Sequence, residues 1–139
     1  MTTPRAADDA VAAGAEFLVT PGVTPALLTA AQGTGLPVLP GGATVSEVLA
    51  LVELGHTAQK FFPAAASGGL GYLASLASVL PDVVFCPTGG ITVSSAADYL
   101  ALPNVACVGG SWLTPSDALA AGDWERVETL AREASELQA

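Results

Sequence analysis

Five short apolar runs recur along the chain, and turn-forming residues follow each of them. Their centres lie roughly 20 to 25 residues apart, the length of one strand, one loop and one helix. The runs show no polar alternation, which is typical of parallel strands buried on both faces. The runs are Phe17-Leu18-Val19, Pro37-Val38-Leu39, Lys60-Phe61-Phe62, Val83-Val84-Phe85-Cys86 and Val105-Ala106-Cys107-Val108.

Helix start signals occupy the intervals between these runs. An N-cap threonine before a proline at the first helical position is predicted at Thr3-Pro4, Thr24-Pro25 and Thr114-Pro115. The segment Thr44-Val45-Ser46-Glu47 has the pattern of a capping box. The last helix is expected to begin at Asp123 and to bury Val127, Leu130, Ala131, Ala134 and Leu137. Strictly alternating strands and helices predict an α/β fold with a parallel sheet.

The number of strands leaves two architectures open. The chain opens on a helix and has five predicted strands, whereas a closed (β/α)8 barrel has eight and usually about 250 residues. Five strands would also suit an open, doubly wound sheet of the flavodoxin type. Composition and spacing do not decide between the two.

Length and charge limit the classes of function. The 139 residues suit a single domain, taken as residues 1–139. A net charge of −9 with four basic residues argues against partners such as nucleic acid or an anionic membrane. The sequence contains no apolar run long enough to span a membrane and no recognisable signal peptide, so a cytoplasmic protein is expected.

The cysteines and the histidine predict no metal site. Cys86 and Cys107 both fall in apolar runs, where a free cysteine behaves as a small buried hydrophobe. Two cysteines without metal-ligand spacing and one histidine, His56, make neither a disulfide scaffold nor a zinc site. His56 is interpreted as an exposed loop residue on the side away from the strand C-termini. No metal and no cofactor are therefore expected.

Lys60 is the only lysine of the chain, and it lies in an apolar segment beside Phe61, Phe62 and Pro63. An amine held among apolar side chains loses part of its preference for the charged form. Such an amine is nucleophilic and can condense with a ketone to form a Schiff base. The alternative is a strand lysine whose stem packs on Phe62 while its head reaches water.

Two glycine-rich turns follow the fourth and fifth runs, at Thr88-Gly89-Gly90 and Gly109-Gly110-Ser111. Ligands bind at the C-terminal ends of parallel strands in both candidate architectures. Exposed backbone N–H groups at such turns suit a phosphate, although the glycines could serve tight turns alone. No acidic residue ends a strand, and the three arginines lie on predicted helices, so no general base or carboxylate-binding cation accompanies Lys60.

Four linked motifs resemble the KDPG/KHG aldolase family over essentially the whole chain. They are Phe17-Leu18-Val19-Thr20-Pro21-Gly22, Lys60-Phe61-Phe62-Pro63, Phe85-Cys86-Pro87-Thr88-Gly89-Gly90-Ile91 and Val108-Gly109-Gly110-Ser111-Trp112-Leu113. The resemblance implies a (β/α)8 TIM barrel, usually trimeric, that cleaves 2-keto-3-deoxy-6-phosphogluconate to pyruvate and glyceraldehyde 3-phosphate. It implies that Lys60 is the Schiff-base lysine. It also implies that Thr88, Gly89, Gly90, Gly110 and Ser111 surround the substrate hydroxyls and phosphate, while Pro21 and Phe62 line the pyruvate pocket.

The chain departs from the family pattern in two places. Ala65 stands where many members have glutamate. The family also has three βα units before the helix that opens this sequence, and they carry its glutamate base, its carboxylate-binding arginine and a threonine that contacts pyruvate. The expected architecture is therefore an incomplete barrel of about five C-terminal βα units. The alternative function is a catalytically impaired remnant that binds a phosphorylated ligand or assembles with another chain.

Overall fold

The computed structural model of the chain describes residues 1–137, in which helices and short strands alternate. The helices are α1 (Pro4–Ala12), α2 (Pro25–Gly33), α3 (Val45–Glu53), α4 (Gly69–Val79), α5 (Val93–Leu100), α6 (Ser116–Ala121) and α7 (Trp124–Ser135). The strands are β1 (Leu18–Val19), β2 (Val38–Leu39), β3 (Gly41–Gly42), β4 (Ala58–Phe61) and β5 (Val84–Pro87). A 3-10 turn spans Ser111–Leu113. The predicted α/β class is confirmed.

Four of the five predicted helix starts are confirmed by side-chain caps. The hydroxyls of Thr3 and Thr24 accept hydrogen bonds from backbone N–H groups three residues ahead, at the starts of α1 and α2. Thr44 and Glu47 form the complete capping box at the start of α3. The carboxylate of Asp123 caps α7 by accepting a hydrogen bond from the backbone N–H of Arg126.

The start predicted at Thr114 is wrong. Helix α6 begins at Ser116, and Pro115 occupies its N-cap position. Thr114 instead ends the 3-10 turn, where its backbone N–H donates to the carbonyl of Ser111. Because Thr114 belongs to the 3-10 turn, it does not cap α6.

All paired strands run parallel, and their spatial order follows their order in the chain. β1 pairs with β2, β3 with β4, and β4 with β5. β2 and β3 are consecutive parts of one extended segment around Pro40, which pairs first with β1 and then, on its other side, with β4. A doubly wound sheet of the flavodoxin type requires the strand order to reverse. These strands show no reversal, so that alternative is wrong for the described residues.

The fifth apolar run does not form a regular strand. It meets β5 only through isolated parallel bridges, from Phe85 to Val105 and from Thr88 to Gly109. Two residues separate Phe85 from Thr88, whereas three separate Val105 from Gly109, so regular pairing is interrupted between the bridges. The prediction of a full strand at Val105–Val108 is wrong in this respect.

The two faces of the sheet differ in burial. Gln59, Phe61 and Phe85 are buried on the helix-covered face, within the core to which α3, α4 and α5 contribute. Ala58, Lys60, Val84 and Cys86 alternate with them and lie on the other side, which we call the open face. Val84 is 41% exposed there. The expectation of burial on both faces is therefore wrong for the open face, because none of the described residues covers it.

Three further predictions about burial are corrected. Cys107 is exposed and Cys86 is half-buried, so neither behaves as a fully buried hydrophobe. Helix α7 has no fully buried residue, since four of its predicted core positions are half-buried and Ala131 is exposed. His56 is half-buried and contacts Gln32 through their side-chain nitrogens at 3.1 Å.

None of the described helices is long and apolar enough to cross a membrane.

Candidate active site

A cleft of about 300 Å³ opens where β4, β5 and the fifth run end. Its lining consists of Lys60, Phe62, Thr88, Gly89, Gly90, Gly109, Gly110 and Ser111. The structure thus brings together seven of the eight residues that the sequence singled out. Pro21 is not among the lining residues, whereas Gly109 lines the cleft although the substrate-binding set omitted it.

Lys60 is held at the cleft by strand pairing on both of its sides. It is a register partner of Gly41 on β3 and of Cys86 on β5. Its backbone N–H donates to the carbonyl of Pro40 at 2.9 Å. Its Nζ lies 5.1 Å from the centroid of the Phe62 ring, a distance at which the ring face attracts an ammonium group. The backbone of Lys60 is therefore fixed at the strand end, and its amine lies over the Phe62 ring.

The Cys86 thiol lies between Lys60 and Cys107. Burial raises the pKa of this thiol to about 12, and the neighbouring Cys107 side chain acts in the same direction. The charge of Lys60 has the opposite and smaller effect on the pKa of Cys86. Sequence reasoning did not assign Cys86 to the site, because its position beside Lys60 depends on the register between two strands.

Backbone hydrogen bonds hold the segment after β4 against the segment after β5. The N–H of Ala64 donates to the carbonyl of Thr88 at 2.8 Å, and that of Ala65 donates to Gly89 at 3.0 Å. The N–H of Thr88 donates to the carbonyl of Phe61 at 3.0 Å. These bonds place Phe62 beside Gly89 and form one wall of the cleft.

The Thr88 hydroxyl is buried, and its oxygen has no hydrogen-bond partner among the described residues. Buried polar atoms are nearly always paired, so an unpaired one at a cleft indicates a place for a ligand or a water. Gly109 faces the Thr88 side chain so closely that an added Cβ would lie 2.8 Å from Cγ2. The close approach explains why glycine occupies this strand end.

The glycine-rich turns present backbone N–H groups to the cleft. Gly89 and Gly90 have φ angles of +94° and +78°, a region that other residues rarely adopt. The N–H groups of Gly90 and Gly110 donate to no acceptor among residues 1–137. Successive free N–H groups in such a turn form a concavity suited to an anion.

Pro21 lies on the neighbouring part of the sheet. It follows Thr20, whose buried hydroxyl accepts a hydrogen bond from the N–H of Gly41 at 3.2 Å. A Cβ on Gly41 would overlap the backbone of Pro21. This contact joins the two-stranded and three-stranded sheets, and sequence reasoning missed it because it links residues about twenty positions apart.

No carboxylate and no arginine lines the cleft within the described part of the chain. Each arginine pairs with an acid on a helix surface: Arg126 with Asp117 at 2.7 Å, Arg132 with Glu128 at 2.6 Å, and Arg5 with Asp9 at 3.9 Å. The described residues also contain no cluster of three or more potential metal ligands. The arrangement provides an amine, hydroxyls and backbone donors, but no acidic group that could act as a base.

Proteins similar to this chain in sequence are aldolases. The chain is 45% identical over 134 residues to the 2-dehydro-3-deoxy-phosphogluconate aldolase of Pseudoalteromonas atlantica, covering 96% of this chain and 62% of that protein. It is 48% identical to the KHG/KDPG aldolase of Escherichia coli, with the same coverage. The chain thus spans about 62% of the length of the relatives it matches.

Solved structures agree with this relationship. The KDPG aldolase of Legionella pneumophila, with pyruvate captured as a covalent carbinolamine, matches with a TM-score of 0.90 and 46% identity, covering 96% of this chain and 65% of that one. The Zymomonas mobilis aldolase with 3-phosphoglycerate matches with a TM-score of 0.88 and 43% identity, covering 98% of this chain and 64% of that one. The family model for KDPG and KHG aldolase matches residues 1–130. The chain therefore belongs to the KDPG and KHG aldolase family.

Proposed function

We propose that this chain is a class I aldolase that acts on 2-keto-3-deoxy-6-phosphogluconate through a Schiff base on Lys60. One observation carries the proposal: the only lysine of the chain lies in a cleft with two glycine-rich turns. The two solved relatives add support, since one holds pyruvate covalently and the other holds 3-phosphoglycerate. Together these ligands resemble the two halves of the proposed substrate.

We further propose that residues 1–139 form one domain with the architecture of five consecutive units of a (β/α)8 TIM barrel. The parallel strands in sequential order support this architecture, as does the match to solved KDPG aldolases. The exposed apolar positions of the open face support association of the chain into homo-oligomers.

In the proposed reaction, the neutral amine of Lys60 adds to the keto carbon C2 and gives a carbinolamine. Loss of water then leaves a protonated imine. The C3–C4 bond breaks as the C4 hydroxyl loses its proton, so that glyceraldehyde 3-phosphate leaves and the bonding electrons form an enamine. C3 takes up a proton, and water hydrolyses the imine to release pyruvate and restore the amine.

The other residues of the cleft would bind the two ends of the substrate. Phe62 would cover the pyruvate half, with Pro21 contributing from the neighbouring sheet. The glycine-rich turns would bind the phosphate and hydroxyls through Thr88, Gly89, Gly90, Gly110 and Ser111. The buried hydroxyl of Thr88 and the free N–H groups of the turns support this assignment.

Turnover by this chain is expected to be slow. The C4 hydroxyl must give up its proton during bond cleavage, and no carboxylate lines the cleft among the described residues. A positioned general base contributes about 10²- to 10⁴-fold to such a step. Without one, water would take the proton.

The test is a continuous assay of pyruvate release from the phosphorylated keto acid, coupled to lactate dehydrogenase. We expect a saturable rate that is about 10²- to 10⁴-fold below that of the Escherichia coli relative. Lys60→Arg keeps the positive charge but cannot form the imine, so it should abolish the rate. The unphosphorylated keto acid should react more weakly if the turns bind phosphate. Pyruvate release that persists in Lys60→Arg would refute the proposal, and so would the absence of pyruvate release by the parent chain at every substrate concentration.

A further inference from the structure

Cys86 and Cys107 lie on neighbouring extended segments that run parallel. The bridges from Phe85 to Val105 and from Thr88 to Gly109 enclose the pair on both sides. Adjacent strands lie about 4.8 Å apart, and a disulfide joins Cα atoms about 4.4 to 6.8 Å apart. The backbone spacing between these segments therefore suits a disulfide.

The extra residue between the bridges brings the two side chains together. Two residues of β5 face three residues of the fifth run, the count found at a bulge. A bulge changes the direction of the side chains that follow it. The Cys107 side chain lies near enough to the Cys86 thiol to raise its pKa, as expected for neighbours enclosed by the two bridges.

The two thiols differ in access to solvent. Cys107 is exposed, whereas Cys86 is half-buried on the open face. The pKa of Cys86, raised by burial to about 12, keeps this group in the thiol form near neutral pH. A soluble oxidant thus meets Cys107 first, with Cys86 held close behind it.

We propose that Cys86 and Cys107 are a redox-active pair that a peroxide converts reversibly to an intramolecular disulfide beside Lys60. This assignment does not depend on the function proposed above.

In the first step, the Cys107 thiolate attacks one oxygen of hydrogen peroxide, which gives a sulfenic acid and hydroxide. The Cys86 thiol then gives up its proton as its sulfur displaces the sulfenic hydroxyl, so that the S–S bond forms and the hydroxyl leaves with that proton as water. The two thiols lose two electrons and two protons in total, and the peroxide is reduced to two molecules of water. A dithiol reductant reverses the reaction by exchange.

The bond would fasten β5 to the fifth run close to the cleft. Cys86 is the register partner of Lys60, and Cys107 lies two positions before Gly109. Oxidation would fix the spacing between the two glycine-rich turns, because each turn follows one of the joined segments. Oxidants would thereby act on the cleft without modifying its lining residues.

The experiment uses the full 139-residue chain, reduced, freed of reductant and treated with hydrogen peroxide. Remaining thiols are alkylated under denaturing conditions, and the intact mass is measured. We expect a monomer that has lost two hydrogens and takes up no alkylating reagent. Cleavage before aspartate separates the cysteines at Asp98, so a linked pair of peptides identifies the bond. Dithiothreitol should restore both alkylation sites.

Single variants and an unfolded control distinguish a positioned pair from two unrelated thiols. In Cys86→Ser we expect a sulfenic acid on Cys107 that dimedone traps. In Cys107→Ser we expect Cys86 to remain reduced. The folded chain should form the bond at least several-fold faster than the chain in denaturing urea. Two alkylated thiols after treatment, a dimer linked through Cys107, or equal rates with and without urea would overturn the proposal.

Discussion

The ring of Phe62 lies against the backbone of Gly89, so that a Cβ added to Gly89 would stand 2.9 Å from Cε2 of the ring. Phe62 in turn lies below the amine of Lys60. The turn after β5 and the lysine of β4 are therefore connected through one aromatic side chain. A change at Gly89 should affect both the stability of the turn and the position of the amine.

We expect Gly89→Ala to destabilise the chain by about 1–3 kcal/mol, the usual cost of a residue held in an unfavourable backbone region. Gly89 has a φ of +94°, and its new methyl group would also displace Phe62. Thermal melting of both proteins measures the effect. Gly71→Ala is the matched control, because Gly71 lies in α4 with open space around it. This variant should be more stable than the parent by about 0.5–1 kcal/mol. Equal melting temperatures for Gly89→Ala and the parent would contradict this account of the turn.

The capping box of α3 should make stability depend on pH. Hydrogen bonds from the N–H groups of Ala43 and Thr44 and from the Thr44 hydroxyl lower the pKa of Glu47 from its ordinary value of 4.5. A lowered folded-state pKa means that ionised Glu47 stabilises the fold above the unfolded-state pKa. This contribution is lost as the pH falls through the folded-state value.

We therefore expect Glu47→Gln to lower stability by about 0.3–1 kcal/mol at pH 7. The difference from the parent should shrink as the pH falls below about 4.5, where the carboxylate of the unfolded chain takes up its proton. Denaturant titrations at several pH values measure this difference in the free energy of unfolding. Glu53→Gln, at the other end of the same helix, should not destabilise. A difference that stays constant down to acidic pH would show that the charge of Glu47 contributes nothing.

The capping box and the glycine-rich turns illustrate what the sequence predicts well. Thr44 and Glu47 interact across three residues, so the local pattern contains the whole interaction. Lys60 and the turn at Thr88-Gly89-Gly90 were likewise singled out from local residue types, and the structure places them in one cleft, while their chemical roles stay predictions. The cleft that joins these segments follows from the rule that ligands bind where parallel strands end.

Other features depend on register and could not be read from one segment. The contact between Thr88 and Gly109, and that between Cys86 and Cys107, require the bulge that interrupts the fifth run. The exposure of the open face was missed because an uninterrupted apolar run reads as buried on both faces. Burial on a given face depends on what covers it, which a strand's own residues do not specify.

We expect the chain to associate with itself through the open face. Val84 is 41% exposed there beside other apolar residues, and contiguous apolar surface favours contact between chains. Sedimentation velocity at increasing concentration should show species larger than the monomer. Val84→Asp should shift the distribution towards monomer, whereas Val79→Asp should not, since Val79 is 64% exposed but lies on α4. A parent chain that stays monomeric throughout, or equal effects of the two variants, would refute the assignment of this face.

The central claim, that Lys60 forms an imine with a keto acid, is tested most directly by reduction with borohydride in the presence of pyruvate. A protease that cleaves after lysine cuts this chain only once, after Lys60. We expect the treated chain to gain one reduced pyruvate and to resist that cleavage, while Lys60→Ala gains no adduct beyond background at the N-terminal amine. A chain that remains free of adduct at Lys60, and is cut there as before at saturating pyruvate, would contradict the claim.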